Sequence, residues 1–256
     1  MKKIVVLILL TVLTINVFGQ RRGSGAPNWI SLAVKGGYGA SSFLCSEALD
    51  INGFNQDYLG PTYCYGGRLG VVFIDKVGVS LEFMGSEYDN KYDYNNHEYN
   101  PLNIKDYDGS LKMKATDFLP LFRYTGEYGF YCELGPKFTK VKGVDMTNEN
   151  PLVGDAPCEQ YFKSSFTSVV FGFGFMPYNG DRVQVSLGIR AAYCPKNVLE
   201  CDGSTNVYGY PEMTSNHLFN NIEMKPLSAQ VLLEVNYHFA RFGQATCGKQ
   251  RIIFFK

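Results

Sequence analysis

The stretch that decides the fold is residues 227–239, LSAQVLLEVNYHF. Every second residue, starting with Leu227, is apolar, and polar residues such as Gln230, Glu234 and Asn236 stand between them. A period of two is typical of a β-strand with two different faces. The run of 13 residues exceeds the roughly 5–6 usual in soluble sheets. A strand needs about 9–11 residues to cross a bilayer at a tilt, so this one is long enough.

Seven other segments alternate in the same way, which predicts seven more strands: 28–39, 62–74, 77–88, 111–124, 129–141, 164–177 and 182–194. Three connections are short (75–76, 125–128 and 178–181), and four are long (40–61, 89–110, 142–163 and 195–226). Regular alternation of short and long connections over an even number of strands is typical of outer-membrane barrels. The predicted fold class is therefore all-β, an eight-stranded antiparallel, up-and-down transmembrane β-barrel.

The amino-acid composition is typical of a β-strand protein, and its charge balance argues against a nucleic-acid partner. The 256 residues include 24 Lys+Arg and 24 Asp+Glu, so the formal net charge is zero. Nucleic-acid binding depends on a surplus of Lys and Arg, and we therefore expect no nucleic-acid partner. The chain also has 18 Tyr, 19 Phe and 27 Gly. Tyrosines and phenylalanines gather near both ends of the predicted strands, as in the two aromatic girdles of a membrane barrel.

The first 19 residues predict a secretory signal peptide. A basic start is followed by an apolar run that is too short to span a bilayer, with small residues before the cleavage point at Gln20. We divide the rest into a lead-in (20–27), the barrel (28–239) and a tail (240–256). The predicted location is the outer membrane of a Gram-negative bacterium, with both termini in the periplasm and membrane lipid as one partner.

Charged residues on the more polar face of the strands form the main candidate site. They are Lys35, Arg68, Glu82, Asp117, Arg123, Glu133, Lys137, Arg190 and Glu234. So many charges would be very costly in a soluble core. Inside a narrow barrel they can pair, and eight strands enclose just enough space for side chains to fill it. We expect a lumen charge network and a plugged lumen rather than a pore.

The tail is basic and apolar, ARFGQATCGKQRIIFFK, with no acidic residue. It predicts a docking segment for a periplasmic or outer-membrane envelope protein, by addition of a strand. The residues that would carry this role are Arg241, Lys249, Arg251, Phe254 and Phe255. The alternative is a frayed terminus.

Seven cysteines in an exported chain suggest disulfides, although sequence does not fix their connectivity. We expect Cys45–Cys64 and Cys194–Cys201, with free or differently paired thiols as the alternative. The three histidines form neither a metal-ligand spacing nor a Ser-His-Asp arrangement. The acidic residues of 89–110 do not match the calcium-binding loop pattern. We therefore assign no catalytic residue, no metal site and no cofactor.

The segment 116–140, TDFLPLFRYTGEYGFYCELGPKFTK, carries a resemblance. Its Leu119-Pro120-Leu121 core, short turn and Glu133-Leu134-Gly135-Pro136 resemble the PorT-like outer-membrane β-barrel family of Bacteroidota. That family consists of small eight-stranded barrels of the OmpA/OmpX type. The resemblance implies a place in the cell envelope, and some relatives serve type IX protein secretion and gliding. It supplies no catalytic residue.

These observations predict a non-enzymatic barrel with a structural or interaction role in the envelope, with an accessory part in type IX secretion or gliding as one implied role. Two alternatives remain open, a small porin-like transport barrel and a protein whose outer loops bind a ligand or mediate adhesion. A membrane-embedded enzyme ranks last, because no nucleophile–base pair is recognisable.

Overall fold

The computed structural model describes residues 28–45, 54–56, 59–74, 76–94, 107–126, 128–148, 156–157, 162–180, 182–200, 223–244 and 250–254. The predicted signal peptide and lead-in lie outside these ranges. Eight long strands build the fold: β1 (Asn28–Cys45), β3 (Gly60–Ile74), β4 (Val77–Tyr94), β5 (Tyr107–Thr125), β6 (Phe130–Asn148), β8 (Ser165–Asn179), β9 (Val183–Tyr193) and β10 (Met224–Gln244). Three short strands accompany them: β2 (Phe54–Gln56), β7 (Ala156–Pro157) and β11 (Gln250–Phe254).

The long strands close into a ring. Each pairs antiparallel with its neighbours in the order β1-β3-β4-β5-β6-β8-β9-β10, and β10 pairs back onto β1. The closing register aligns Val34 with Val235 and Lys35 with Glu234. The predicted eight-stranded, antiparallel, up-and-down β-barrel is thus confirmed. Among the described residues, no helix is long and apolar enough to cross a membrane.

The connections distinguish two ends of the barrel. At the turn end, short connections join β3 to β4, β5 to β6 and β8 to β9. The β5–β6 turn is closed by a 2.7 Å hydrogen bond from the Gly126 amide to the Phe130 carbonyl. Gly129 in this turn has φ 77°, a left-handed conformation that favours glycine. The four long connections lie at the opposite end, called the loop end below.

Several strands differ in length from the sequence prediction. At the loop end, β4 and β5 stay paired up to Tyr94 and Tyr107, so part of the predicted connection 89–110 is strand. At the turn end, β10 continues past Phe239 to Gln244. The physical reason is continued pairing, because Ala240 still pairs with Ile30 of β1. Hydropathy alternation marked the apolar part of each strand but not its polar extensions.

Candidate functional site

The outer surface of the ring is apolar. Outward positions carry no charged residue over 30–40, 63–71, 77–85, 116–124, 130–138, 167–175, 183–193 and 227–237. Val34 is 72% exposed and Phe83 62% exposed, whereas the adjacent inward residues Lys35 and Glu82 are 1% and 0% exposed. The barrel is therefore polar inside and apolar outside. We call this surface the apolar belt.

All nine charged residues that the sequence assigns to the interior are buried. Their exposed fractions range from 0% to 7%. Seven of them lie together nearer the turn end and form what we call the turn-side network: Lys35, Arg68, Glu82, Arg123, Glu133, Arg190 and Glu234. The other two, Asp117 and Lys137, lie nearer the loop end.

Glu234 joins three strands within the turn-side network. One carboxylate oxygen, Oε2, lies 2.7 Å from Lys35 Nζ on β1. The other, Oε1, accepts hydrogen bonds from Arg68 Nη1 on β3 at 2.9 Å and from Arg123 Nη1 on β5 at 2.7 Å. One side chain of β10 therefore ties together strands on both sides of the ring.

Arg190 of β9 likewise joins side chains from two other strands, Glu82 of β4 and Glu133 of β6. Its Nη1 donates to Glu82 Oε2 at 2.8 Å, and its Nε donates to Glu133 Oε1 at 2.9 Å. Lys35 links the two halves, because its Nζ also donates to Glu82 Oε1 at 2.7 Å. Four cations thus share three carboxylates. Removal of one partner from such a desolvated cluster leaves a buried charge without compensation.

Small residues make room for these long side chains. A Cβ atom at Gly172 would lie 2.8 Å from the Glu133 side chain, and one at Gly70 would lie 2.8 Å from Arg68 Nη2. The aromatic ring of Tyr131 lies under the guanidinium of Arg123, with Cζ 3.9 Å from the ring centroid. The inward alternation indicated these positions but not this cation–π contact.

An apolar layer follows towards the loop end. Seven buried residues form it: Cys64, Met84, Leu119, Leu121, Val170, Ala192 and Leu232. Beyond it lies a second polar group around Asp117. The Asp117 carboxylate accepts hydrogen bonds from Tyr88 Oη at 3.0 Å and from Thr139 Oγ1 at 2.6 Å. Lys137 Nζ donates to Tyr88 Oη at 2.7 Å, and this tyrosine was not identified from the sequence.

Between these layers lies a small cavity bordered by Cys64, Tyr88, Asp117 and Lys137, with room for about one water molecule. Farther towards the loop end, the buried apolar side chains of Phe43, Leu111, Met113 and Met224 lie at the same height as buried polar ones, including Ser41 and Asn90. The interior is therefore filled by a polar network, an apolar layer, a second polar group and a mixed region at the loop end.

Each of the four interior carboxylates assigned from the sequence lies within 4 Å of a Lys or Arg nitrogen. The interior carboxylates are neutralised by Lys or Arg, so none is placed as a free general base. Within the described ranges, no group of three or more His, Cys, Asp or Glu residues is placed to hold a metal ion. Outside the apolar belt, burial raises the pKa of the Asp89 carboxyl.

Both predicted disulfides are wrong. Cys64 is a free, buried thiol whose Sγ lies 3.3 Å from Gln230 Oε1. It pairs in register with Gly37, which is eight residues from Cys45 along β1. At about 3.4 Å per residue this is roughly 27 Å, far beyond disulfide geometry. Cys194 is also a free thiol, with Sγ 3.4 Å from the Thr167 carbonyl oxygen, and Cys201 lies outside the described residues.

The tail pairs with the barrel's own last strand. Strand β11 runs antiparallel to the end of β10, with Phe254 opposite Ala240 and Arg251 opposite Gly243. Arg241 pairs with Ile253 on this side and with Trp29 on the other. Among the described residues β11 pairs only with β10, so its second edge has no strand partner there. Lys249 and Phe255 lie outside the described residues.

Two prolines interrupt the ladder between β5 and β6. Phe118 pairs with Phe138 and Phe122 with Leu134, but no pair is formed between them. This register places Pro120 directly opposite Pro136. Neither proline has an N–H group, so both hydrogen bonds of that pair are lost, and their two carbonyls lack these donors. The sequence contains both prolines, but the register was needed to place them face to face.

No protein-family model and no curated protein matches the sequence significantly. Similar solved structures include Neisserial surface protein A (NspA), with 9% identity, a TM-score of 0.41, and coverage of 84% of this chain and 99% of that chain. Ail, the attachment invasion locus protein of Yersinia pestis, has 14% identity, a TM-score of 0.35, and coverage of 81% and 98%.

The outer membrane protein OprG from Pseudomonas aeruginosa has 13% identity, a TM-score of 0.37, and coverage of 85% and 98%. Because these identities are at most 14% and these TM-scores at most 0.41, the fold assignment rests on the closed strand pairing of this chain and not on the comparisons.

Proposed function

We propose that this chain is a non-enzymatic outer-membrane β-barrel with a structural or interaction role in the cell envelope. The observation that carries the proposal is the reversed polarity of the closed ring. An uncharged apolar belt faces outward, while seven ionised side chains of the turn-side network are buried inside. Water would disfavour such a belt, whereas lipid hydrocarbon suits it.

The proposal includes a sealed interior. It is supported by the Arg123–Glu234 contact that crosses the ring from β5 to β10, by the apolar layer, and by the polar group around Asp117 on β4, β5 and β6. A porin-like role would need a continuous aqueous path, which these layers do not favour. The alternative role in loop-mediated ligand binding or adhesion depends on long connections that lie largely outside the described residues.

Two experiments test the barrel assignment. The protein, reconstituted in lipid vesicles, should resist extraction by alkaline carbonate, as an integral membrane protein does. In planar bilayers it should give no stepwise conductance. Release by carbonate would refute membrane insertion, and reproducible conductance steps would refute the sealed interior while leaving insertion intact.

The interaction role centres on the C-terminal hairpin of β10 and β11. An unpaired strand edge can accept an extended segment of another protein. We place this hairpin in the periplasm with both termini, and its basic residues favour an acidic partner segment. An accessory part in type IX secretion or gliding is supported by the Leu119-Pro120-Leu121 and Gly135-Pro136 resemblance alone.

Deletion of residues 250–256 tests this role more cleanly than removal of the whole tail, because β10 then keeps all its pairs with β1. Crosslinking in cells that express the full chain or the shortened chain should show at least one envelope partner lost on deletion. An unchanged set of crosslinked partners would refute docking through the tail.

A further inference from the structure

Exposed lysines gather on one sector of the barrel, immediately beyond the apolar belt. Lys114 and Lys112 follow Thr116 on the outward face of β5, and Lys140 and Lys142 follow Phe138 on β6. All four side chains are exposed. The register pairs Thr116 with Lys140 and Lys114 with Gly143, so the four lysines occupy adjacent positions on two neighbouring strands. We call them the lysine sector.

Neighbouring carboxylates neutralise the lysine sector only in part, because four lysines face three carboxylates. Lys114 Nζ lies 3.9 Å from Asp145 Oδ2, but both side chains are more than half exposed, so water weakens this pair. Asp145 is also the register partner of Lys112 on β5. On the adjacent strand β4, Glu87 lies opposite Lys114 and Asp89 opposite Lys112. Lys140 pairs with Thr116 and Ser165, neither of which is acidic.

The same height on β1 and β3, beyond the adjacent strand β4, looks different. Residues 38–45 of β1 and 59–65 of β3 contain no charged residue. The outward side chains there include Tyr38, Tyr63 and Tyr65. β1 and β3 therefore contribute no cation at this height, whereas β5 and β6 contribute four; Lys225 of β10, which pairs with Leu44 of β1, contacts Glu223.

The position of the sector relative to the belt identifies its ligand class. Phe118 and Phe138 are the last outward aromatics before the lysines, with ring centroids 6.3 Å apart. The two rungs of lysines lie about 7 Å apart along the strands, two residues at about 3.4 Å each. Long lysine side chains at this border extend their ammonium groups to the headgroup level, where lipid phosphates lie.

We propose that the lysine sector binds the phosphate groups of anionic membrane lipids and holds such lipids on the β5–β6 side of the barrel. This inference rests on the proposed membrane location. Neighbouring cations that would repel one another are compensated when a phosphate lies between their ammonium groups.

The test uses the full barrel in nanodiscs of phosphatidylcholine with a minority of phosphatidylglycerol. The measured quantity is the ratio of phosphatidylglycerol to phosphatidylcholine retained after mild detergent extraction. The variant K140Q/K142Q removes two sector lysines. The matched control K196Q/K225Q removes two lysines of the loop end that lie outside the sector.

The original protein should retain phosphatidylglycerol in excess of its share, and high salt should reduce this excess. K140Q/K142Q should lower the enrichment, by about fivefold for each lysine at most, while K196Q/K225Q should leave it unchanged. Equal enrichment in all three proteins, or an equal loss in both variants, would overturn the proposal. In either case, intact insertion into nanodiscs would leave the proposed barrel function standing.

Discussion

Replacement of Glu234 by Gln should destabilise the barrel strongly. The Glu234 carboxylate contacts Lys35 Nζ at 2.7 Å, Arg68 Nη1 at 2.9 Å and Arg123 Nη1 at 2.7 Å. The amide removes the only negative charge that these three cations share and leaves four cations with two carboxylates in the turn-side network. Breaking a buried pair in this way costs about 3–5 kcal/mol. We expect a loss of that size in the free energy of unfolding.

Urea unfolding in lipid vesicles measures this loss, with the fluorescence of Trp29 as the signal. Trp29 is the single tryptophan, and its ring lies 5.2 Å from that of His238 on β10. The signal therefore reports on the β1–β10 closure of the ring. The matched control is Glu223→Gln, which removes an exposed carboxylate paired with Lys225. The control should change stability by at most about 1 kcal/mol.

A second substitution tests whether charge balance is the cause. Adding Arg123→Gln to Glu234→Gln restores the original surplus of one cation, three against two, and should recover part of the lost stability. Glu234→Gln with a cost no larger than that of Glu223→Gln would refute the reasoning. So would a double variant less stable than the sum of its single changes.

Three further predictions concern other parts of the barrel. Pro120→Ala returns an amide donor opposite the Pro136 carbonyl and should raise the free energy of unfolding by about 0.5–1.5 kcal/mol; an equal loss in urea titrations would contradict the assigned register. Gly172→Val places a side chain against Glu133, which lies 2.8 Å from a Cβ built at this position. The overpacking should cost about 1–3 kcal/mol in the same assay. Unchanged stability would show that the interior has spare room. Alkylation of the unreduced, unfolded protein should label Cys64 and Cys194 in peptide mass spectra, whereas in the folded barrel both should react slowly because they are buried; absence of label in the unfolded chain would reveal disulfides after all.

Alternation of residue type was sufficient to predict strand number and the inward face. A period of two determines which side chains share a face, so Lys35, Glu82 and Glu234 could be assigned to the interior before any register was known. The partners could not be predicted, because Arg190 and Glu82 are 108 residues apart and meet only when the ring closes.

The strand register also explains two features that the sequence alone did not predict, the separation of Cys45 from Cys64 and the extra length of the strands. Cys45 and Cys64 lie near the two ends of one connection in the sequence, yet strand pairing separates them along the barrel axis. The strand extensions beyond the belt carry polar outward residues such as Lys112, so hydropathy alternation weakens there while backbone pairing continues.

The central claim is that one face of every long strand meets lipid and the other a packed, ion-paired interior. Spin labels on single-cysteine variants along β10, in a background without native cysteines, test it most directly. Labels at Val231, Leu233 and Val235 should collide with oxygen dissolved in the lipid and not with a water-soluble nickel complex. Labels at Leu232 and Asn236 should be shielded from both reagents. A nickel complex that reaches the inward positions, or oxygen collisions without a period of two, would contradict the account.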